Sequence, residues 1–291
     1  MSIWLNDKTK VIVQGMTGRE GTFHTGNMIK YGTNVVAGVT PGKGGESHLG
    51  LPIFDNCSEA VKGTGATASV IFVPARFCLA AVQDAVVSGV KFLVVITEGI
   101  PLHDEIKIGA LVRKEGVIMV GPNCPGIFSV GQASMGIMPS SIFKRGNIGL
   151  VSRSGTLTYE LVDLISRAGL GISTAVGIGG DRVIGARFIE TLKAFNDDEN
   201  TLAVAMVGEI GGSDEEEAAE IIPSLSRISK NIVGFIGGRT APPGKAMGHA
   251  GAIVEGNKGT PQSKVEALES VGVPVPEKLS EIPDILKGFI S

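Results

Sequence analysis

No apolar run in this chain reaches the roughly 18 residues that span a bilayer. The first residues, "MSIWLNDKTK", lack the charged start and apolar stretch of a secretory signal. The expectation is a cytoplasmic protein, or a mitochondrial matrix protein after loss of a transit peptide. Cysteine is scarce: Cys57, Cys78 and Cys124 are widely spaced and form no CxxC pair, which argues against a disulfide framework or a zinc site. No metal site is expected, and the three residues read as reduced thiols. Nor is there an excess of one charge. With 26 Lys+Arg against 29 Asp+Glu the formal charge is −3, so bulk electrostatics point to neither a polyanion nor a membrane surface, and any anion site must be local.

What the chain has in abundance is glycine, 42 of 291 residues, without collagen period or low-complexity tract. The glycines gather at the ends of short apolar runs that alternate with longer amphipathic ones, the pattern of strand–helix–strand units on parallel sheets. Strands are expected at 10–14, 34–39, 69–73, 91–97 and 117–121, with helices near 20–31, 77–88 and 103–115. After the Gly/Pro-rich, aperiodic 121–139 the alternation restarts. Strands at 147–152, 172–177, 202–208 and 231–237 precede or follow helices near 155–168, 184–195, 214–229 and 260–271. The fold class is α/β: an N-terminal Rossmann-like domain over 1–124, then a flavodoxin-like doubly wound domain over 125–291.

In such sheets ligands bind beyond the carboxyl ends of the strands. The loop "VIVQGMTGREGTFH" places Gly15, Gly18 and Gly21 between a strand and a helix, where backbone N–H groups can approach a pyrophosphate. Its G-x-x-G-x-x-G spacing is not the dinucleotide fingerprint, so phosphate site and tight turn both stay open. The next strand ends in "AGVTPGKGG" without the carboxylate that holds an unmodified ribose, and Lys43 there suits a phosphorylated one, as in NADP or coenzyme A. A Walker A loop is excluded by the glycine spacing and by Gly44 after the lysine. "VSRSGTLTYE" places Ser154, Gly155 and Thr156 at a helix start, where they could receive an anion or merely cap the helix. Glu98 in "ITEGIP" and Glu209 in "VGEIGG" each follow a buried-looking strand and could orient a histidine. His249, in "KAMGHAGAIVEG", has only small neighbours, which favours a ring that other groups approach closely. The acidic run "SDEEEAAE" reads as a helix start favoured by the macrodipole. "LHDE" is no ligand set, because adjacent helical residues do not face one another.

Seven collinear segments, "GMTGREGTFHTGNMIKYGTNVVAGVTPGKGG", "ITEGIP", "GPNCPG", "VSRSGTLTYE", "VGIGGD", "GEIGGS" and "MGHAGAI", resemble the alpha subunit of succinyl-CoA synthetase (succinate–CoA ligase) over essentially the whole chain. The resemblance implies reversible joining of a dicarboxylate to coenzyme A, coupled to ATP or GTP through a phosphohistidine at His249, as in the tricarboxylic acid cycle. It assigns coenzyme A to Thr17, Gly18, Arg19, Glu20, Lys43, Ile96, Thr97 and Glu98. Glu98 and Glu209 would orient the imidazole, Ser154, Gly155 and Thr156 would receive the phosphate, and Tyr159 would lie on the substrate side. ATP/ADP or GTP/GDP with Mg2+ would be bound by an ATP-grasp beta subunit in a heterodimer or heterotetramer, since this chain shows no purine site. Two positions depart from the family: Glu20, where many relatives carry Gln, and Arg182, where relatives carry Pro. Ligases for malate or citrate share the architecture. An NADP-dependent oxidoreductase or a non-catalytic coenzyme A sensor remains as a rival, although the first does not explain His249 and the presence of both His249 and Glu209 speaks against the second.

Overall fold

The computed structural model describes residues 2–240, 248–253 and 259–290. Contacts divide the chain into two units. One consists of Trp4–Met138 with Val183–Gly185, and the other of Met1–Ile3, Pro139–Arg182 and Ala186–Ser291.

In the first unit β1 (Val11–Gln14), α1 (Arg19–Tyr31), β2 (Val35–Val39), β3 (Ser47–His48), β4 (Leu51–Phe54), α2 (Cys57–Thr64), β5 (Ala68–Ile71), α3 (Ala75–Val87), β6 (Phe92–Val95), α4 (Leu102–Lys114) and β7 (Ile118–Val120) follow in order. They build a sheet ordered β3-β4-β2-β1-β5-β6-β7. β1 is central and parallel to both β2 and β5. Chain order reverses there, which is where a doubly wound sheet opens its ligand crevice. All four residues of β1, β5 and β6 are buried, as continuous apolar runs in a two-sided parallel sheet require. The two polar members pair: Gln14 donates to Ser69 Oγ and also to the Ala81 carbonyl, each at 3.1 Å.

The aperiodic stretch after β7 holds an antiparallel hairpin, β8 (Gly126–Ser129) with β9 (Ala133–Gly136). The Tyr31 ring packs tilted, at 53°, against Phe128 with centroids 4.5 Å apart, and Thr33 Oγ1 donates to the Ser134 carbonyl at 2.8 Å while accepting from its N–H at 2.9 Å. Gly126 and Gly136 are required because a Cβ on either would overlap the facing strand's backbone.

The second unit contributes β10 (Arg145–Ser152), α5 (Gly155–Arg167), β11 (Ile172–Gly177), α6 (Phe188–Asp197), β12 (Ala203–Glu209), α7 (Asp214–Ile221), β13 (Ile232–Gly237), α8 (Pro261–Ser270) and α9 (Ile282–Ile290). Its parallel strands run β13-β12-β10-β11. Two helices differ from expectation. α7 stops at Ile221, followed by a 3-10 turn over Ile222–Ser224, because Pro223 lacks an N–H and disfavours helix before it. α6 starts at Phe188 rather than 184, where the extended N-cap Arg187 donates its N–H to Glu190 Oε2 at 2.8 Å in a capping box. Among the described residues no helix is long and apolar enough to cross a membrane.

Candidate functional site

The first unit's sequence-predicted residues gather at the carboxyl ends of β1, β2 and β6. Gly15, at φ +77°, turns the chain out of β1 against the Phe72 backbone. Gly21 must be glycine, because its Cβ would overlap the Gly15 carbonyl. α1 therefore begins tight against the strand end, and Gly18 as N-cap offers no side chain to its first N–H groups. Those donors are left for an anion. Thr17 Oγ1 reaches Thr40 Oγ1 at 3.3 Å and links this loop to the next.

Lys43 sits half-buried in an ordered turn. Its N–H donates to the Thr40 carbonyl at 3.1 Å, while Asp55 accepts from the N–H groups of Gly42 at 2.7 Å and Gly44 at 2.9 Å. Thr97 Oγ1 donates to the Val73 carbonyl at 2.8 Å, placing Ile96 and Thr97 beside the β5 loop. Arg19 and Glu20 are exposed on the first turn of α1, where the Glu20 carboxylate faces Arg19 at 3.8 Å and His24 at 3.7 Å. His24 stacks on Phe72 at 5.7 Å, and burial lowers its pKa against the raising effect of Glu20. Glu98 is exposed in the loop after β6.

The second unit brings Glu209 and His249 together. Glu209 ends β12, and its Oε2 lies 2.6 Å from His249 Nδ1. A carboxylate only accepts, so Nδ1 carries the proton and, in the neutral ring, the Nε2 lone pair faces outward. The ring rests on Gly180, where any Cβ would overlap its carbon atoms. The turn carrying it is closed by Gly251 N–H donating to the Gly180 carbonyl at 3.1 Å and Ala252 N–H donating to the His249 carbonyl at 3.2 Å. The imidazole is 23% exposed, open enough for one edge to react. Residues 245–247 and 254–256 of the expected glycine-rich stretch lie outside the described residues.

Behind Glu209 stands a cation that sequence reasoning passed over. Arg153, 6% exposed at the end of β10, donates through Nε to Glu209 Oε1 at 3.1 Å. It also donates through Nη1 to Asp214 Oδ2 at 2.9 Å and through Nη2 to the Asp181 carbonyl at 3.1 Å. Its signal was a cation directly after a buried strand. The acidic run is more than a macrodipole match. Asp214 pairs with Arg153, Glu217 Oε2 accepts from Arg187 at 2.7 Å, and Glu215 and Lys264, both 0% exposed, pair with one another. Glu215 Oε1 accepts the Glu209 N–H at 3.0 Å and so fixes the strand end that carries the carboxylate. Burial pushes the Glu215 carboxyl up, opposed by the charges of Lys264 and Arg153.

Ser154, N-cap of α5, does cap the helix, its Oγ accepting from Leu157 N–H at 3.3 Å. The N–H groups of Gly155 and Thr156 remain in the first turn without intrahelical acceptors. Tyr159 lies half-buried one turn further along α5.

The hydrogen bond from Glu209 raises the pKa of His249 above its ordinary 6.5; burial and Arg153 oppose the rise and Asp181 supports it. Because the folded-state value is the higher, this pair's stabilisation is complete below about pH 6.5 and is lost as pH rises through the folded value. Glu209→Gln is expected to lower the His249 pKa, read from imidazole NMR shifts against pH. Loss of the group that fixes the tautomer should also slow reaction at Nε2 by about 10- to 100-fold.

Residues 6–99 match the CoA binding domain model and residues 151–273 the CoA-ligase model. The Archaeoglobus fulgidus succinate–CoA ligase [ADP-forming] subunit alpha 2 is 55% identical over 290 residues, all of both chains. The Staphylococcus aureus (strain Mu50) succinate–CoA ligase [ADP-forming] subunit alpha is 51% identical over 98% of this chain and 94% of its own. The ATP citrate lyase of Methanothrix soehngenii, solved with citrate and coenzyme A, superposes at a TM-score of 0.89 over 99% of this chain and 50% of that one. At 23% identity that likeness shows a shared fold alone. With more than half its residues shared with full-length relatives, the chain belongs to the succinate–CoA ligase alpha-subunit family.

Proposed function

We propose that this chain is the alpha subunit of a succinate–CoA ligase that passes a phosphoryl group through His249. The observation that carries the reading is the 2.6 Å hydrogen bond from His249 Nδ1 to a Glu209 that Arg153 holds in place. In one direction the Nε2 lone pair attacks the γ-phosphorus of a nucleoside triphosphate. The N–P bond forms as the bridging P–O bond breaks, and the electron pair leaves with the diphosphate. In the other direction the same lone pair attacks an acyl phosphate and releases the carboxylate. Throughout, Nδ1–H stays on Glu209, which balances the positive charge that develops on the ring. The exposed donors of Gly155 and Thr156 are suited to receive the phosphoryl oxygens, with Tyr159 on the substrate side.

The first unit fits coenzyme A as its ligand. The uncapped start of α1 at Gly18, the ordered Lys43 turn joined through Thr40 to Thr17, and the neighbouring Ile96 and Thr97 offer backbone donors, a cation and an apolar edge. Arg19, Glu20 and Glu98 border this surface. In this reading 1–124 serves as the coenzyme A domain and 125–291 as the ligase domain. A beta subunit is proposed to bind the nucleotide with Mg2+, in a heterodimer or heterotetramer, and the names of the relatives favour ATP and ADP. Three buried free thiols accord with a reducing, cytoplasmic setting.

Succinate is favoured over malate or citrate, because the relatives at 50–55% identity bear the succinate name. With the reconstituted pair, ATP and coenzyme A, thioester formation from a panel of acids is expected to favour succinate by roughly tenfold or more. A preference for citrate or malate, or hydride transfer from a nicotinamide in place of thioester formation, would overturn the reading.

A further inference from the structure

The transfer scheme leaves Arg182 without a task. This residue is exposed, yet its Nε donates to the carbonyl oxygen of Ala250, next to His249, at 3.2 Å. It also lines an open cleft of about 520 Å³ together with Arg153, Gly212, Ser213, Asp214, Gly251 and Ile253, in which the one carboxylate, Asp214, is already paired with Arg153. Gly212 and Ser213 lead into α7, whose N-cap Ser213 makes no side-chain cap to the first turn. The carboxylates of that turn are already matched: Asp214 by Arg153, Glu215 and Glu216 by Lys264, Glu217 by Arg187. Three bonds hold Arg153 to Glu209, Asp214 and the Asp181 carbonyl. Among the described residues the bond to Ala250 is the only hydrogen bond of Arg182.

We propose that Arg182 is a positioning residue that joins the His249 turn to the anion in the cleft. Its Nε holds the Ala250 carbonyl, and with it the seat of the imidazole on Glu209. Its two Nη groups are left to grip a tetrahedral oxyanion, the paired geometry for which a guanidinium fork is suited and a lysine is not. Charge supports the assignment. A dianionic phosphoryl group on Nε2 would stand near Glu209 and Asp181, both of which act electrostatically on His249, so a cation beyond Arg153 lowers the repulsion. The identity of the anion rests on the proposed phosphohistidine; the hold on the turn does not.

The test uses the full chain, with inorganic phosphate as probe, in wild type, Arg182→Ala and Arg182→Lys. Phosphate affinity is read from the His249 imidazole resonances, and the hold on the turn from hydrogen exchange at the Gly251 and Ala252 amides. Arg182→Ala is expected to weaken phosphate binding about tenfold, the size of one charge-assisted pair, and to speed exchange at both amides. Arg182→Lys should recover part of the affinity and none of the protection. Unchanged affinity or unchanged exchange in Arg182→Ala overturns the proposal. A chain that shows both effects but never forms a phosphohistidine with its partner and ATP defeats the proposed function and leaves the Arg182 assignment standing. A labelled chain with neither effect does the reverse.

Discussion

His249→Ala is expected to remove all phosphoryl label from the chain when it is incubated with its partner subunit and labelled ATP. Thioester formation should fall by roughly four orders of magnitude or more, as when an enzyme loses its nucleophile. The wild-type label should be lost in acid and survive base, the stability of a phosphorus–nitrogen bond. The fold should persist, because the imidazole is 23% exposed and its single described hydrogen bond is to Glu209. A variant that melts like wild type and carries no label places the loss in the chemistry. An acid-stable label retained in His249→Ala would mean a hydroxyl ester or acyl acceptor elsewhere.

Lys264→Met is the second large effect, and it falls on stability. Lys264 and Glu215 are both 0% exposed, and the ammonium also reaches Glu216 at 3.3 Å. Removing the cation leaves a buried carboxylate without its paired ammonium, with only the charge of Arg153 still acting on it, a change that typically costs about 3–5 kcal/mol. Glu215 already has a raised pKa through burial, so without Lys264 it should take up a proton on folding. The destabilisation is therefore expected to be greatest near neutral pH and to shrink towards about pH 5, where protonation relieves the charge. Thermal unfolding of the variant at several pH values reads this directly. Because Glu215 holds the Glu209 N–H, any folded fraction should also show His249 shifted towards its ordinary pKa.

Much of this architecture is legible in the sequence, because parallel strands buried on both faces are continuous apolar runs, as at Phe92–Val95 and Ala203–Glu209. Elements that depend on distant partners are not. The hairpin over Gly126–Gly136 has glycines where the facing backbones meet, and its docking runs through Thr33 and Tyr31, far away in the chain. α2 and α9 are short, with 8 and 9 residues, so neither makes a long periodic signal, even though α9 is largely apolar. At the site, Glu209 and His249 could be picked out by type and flanking glycines. The group between them and the core could not: Arg153 reads as an ordinary loop cation until Glu209, Asp181 and Asp214 are seen around it. Likewise the acidic run reads as a solvated helix start until Lys264 is found buried beneath it.

One measurement bears most directly on the central claim, that Glu209 keeps the proton on Nδ1 and leaves Nε2 to carry phosphorus. Nitrogen-detected NMR of the chain phosphorylated by its partner, with histidine labelled, distinguishes the two ring positions. The account predicts phosphorus on Nε2 and a proton on Nδ1. Phosphorus on Nδ1, or on any residue other than His249, would contradict it.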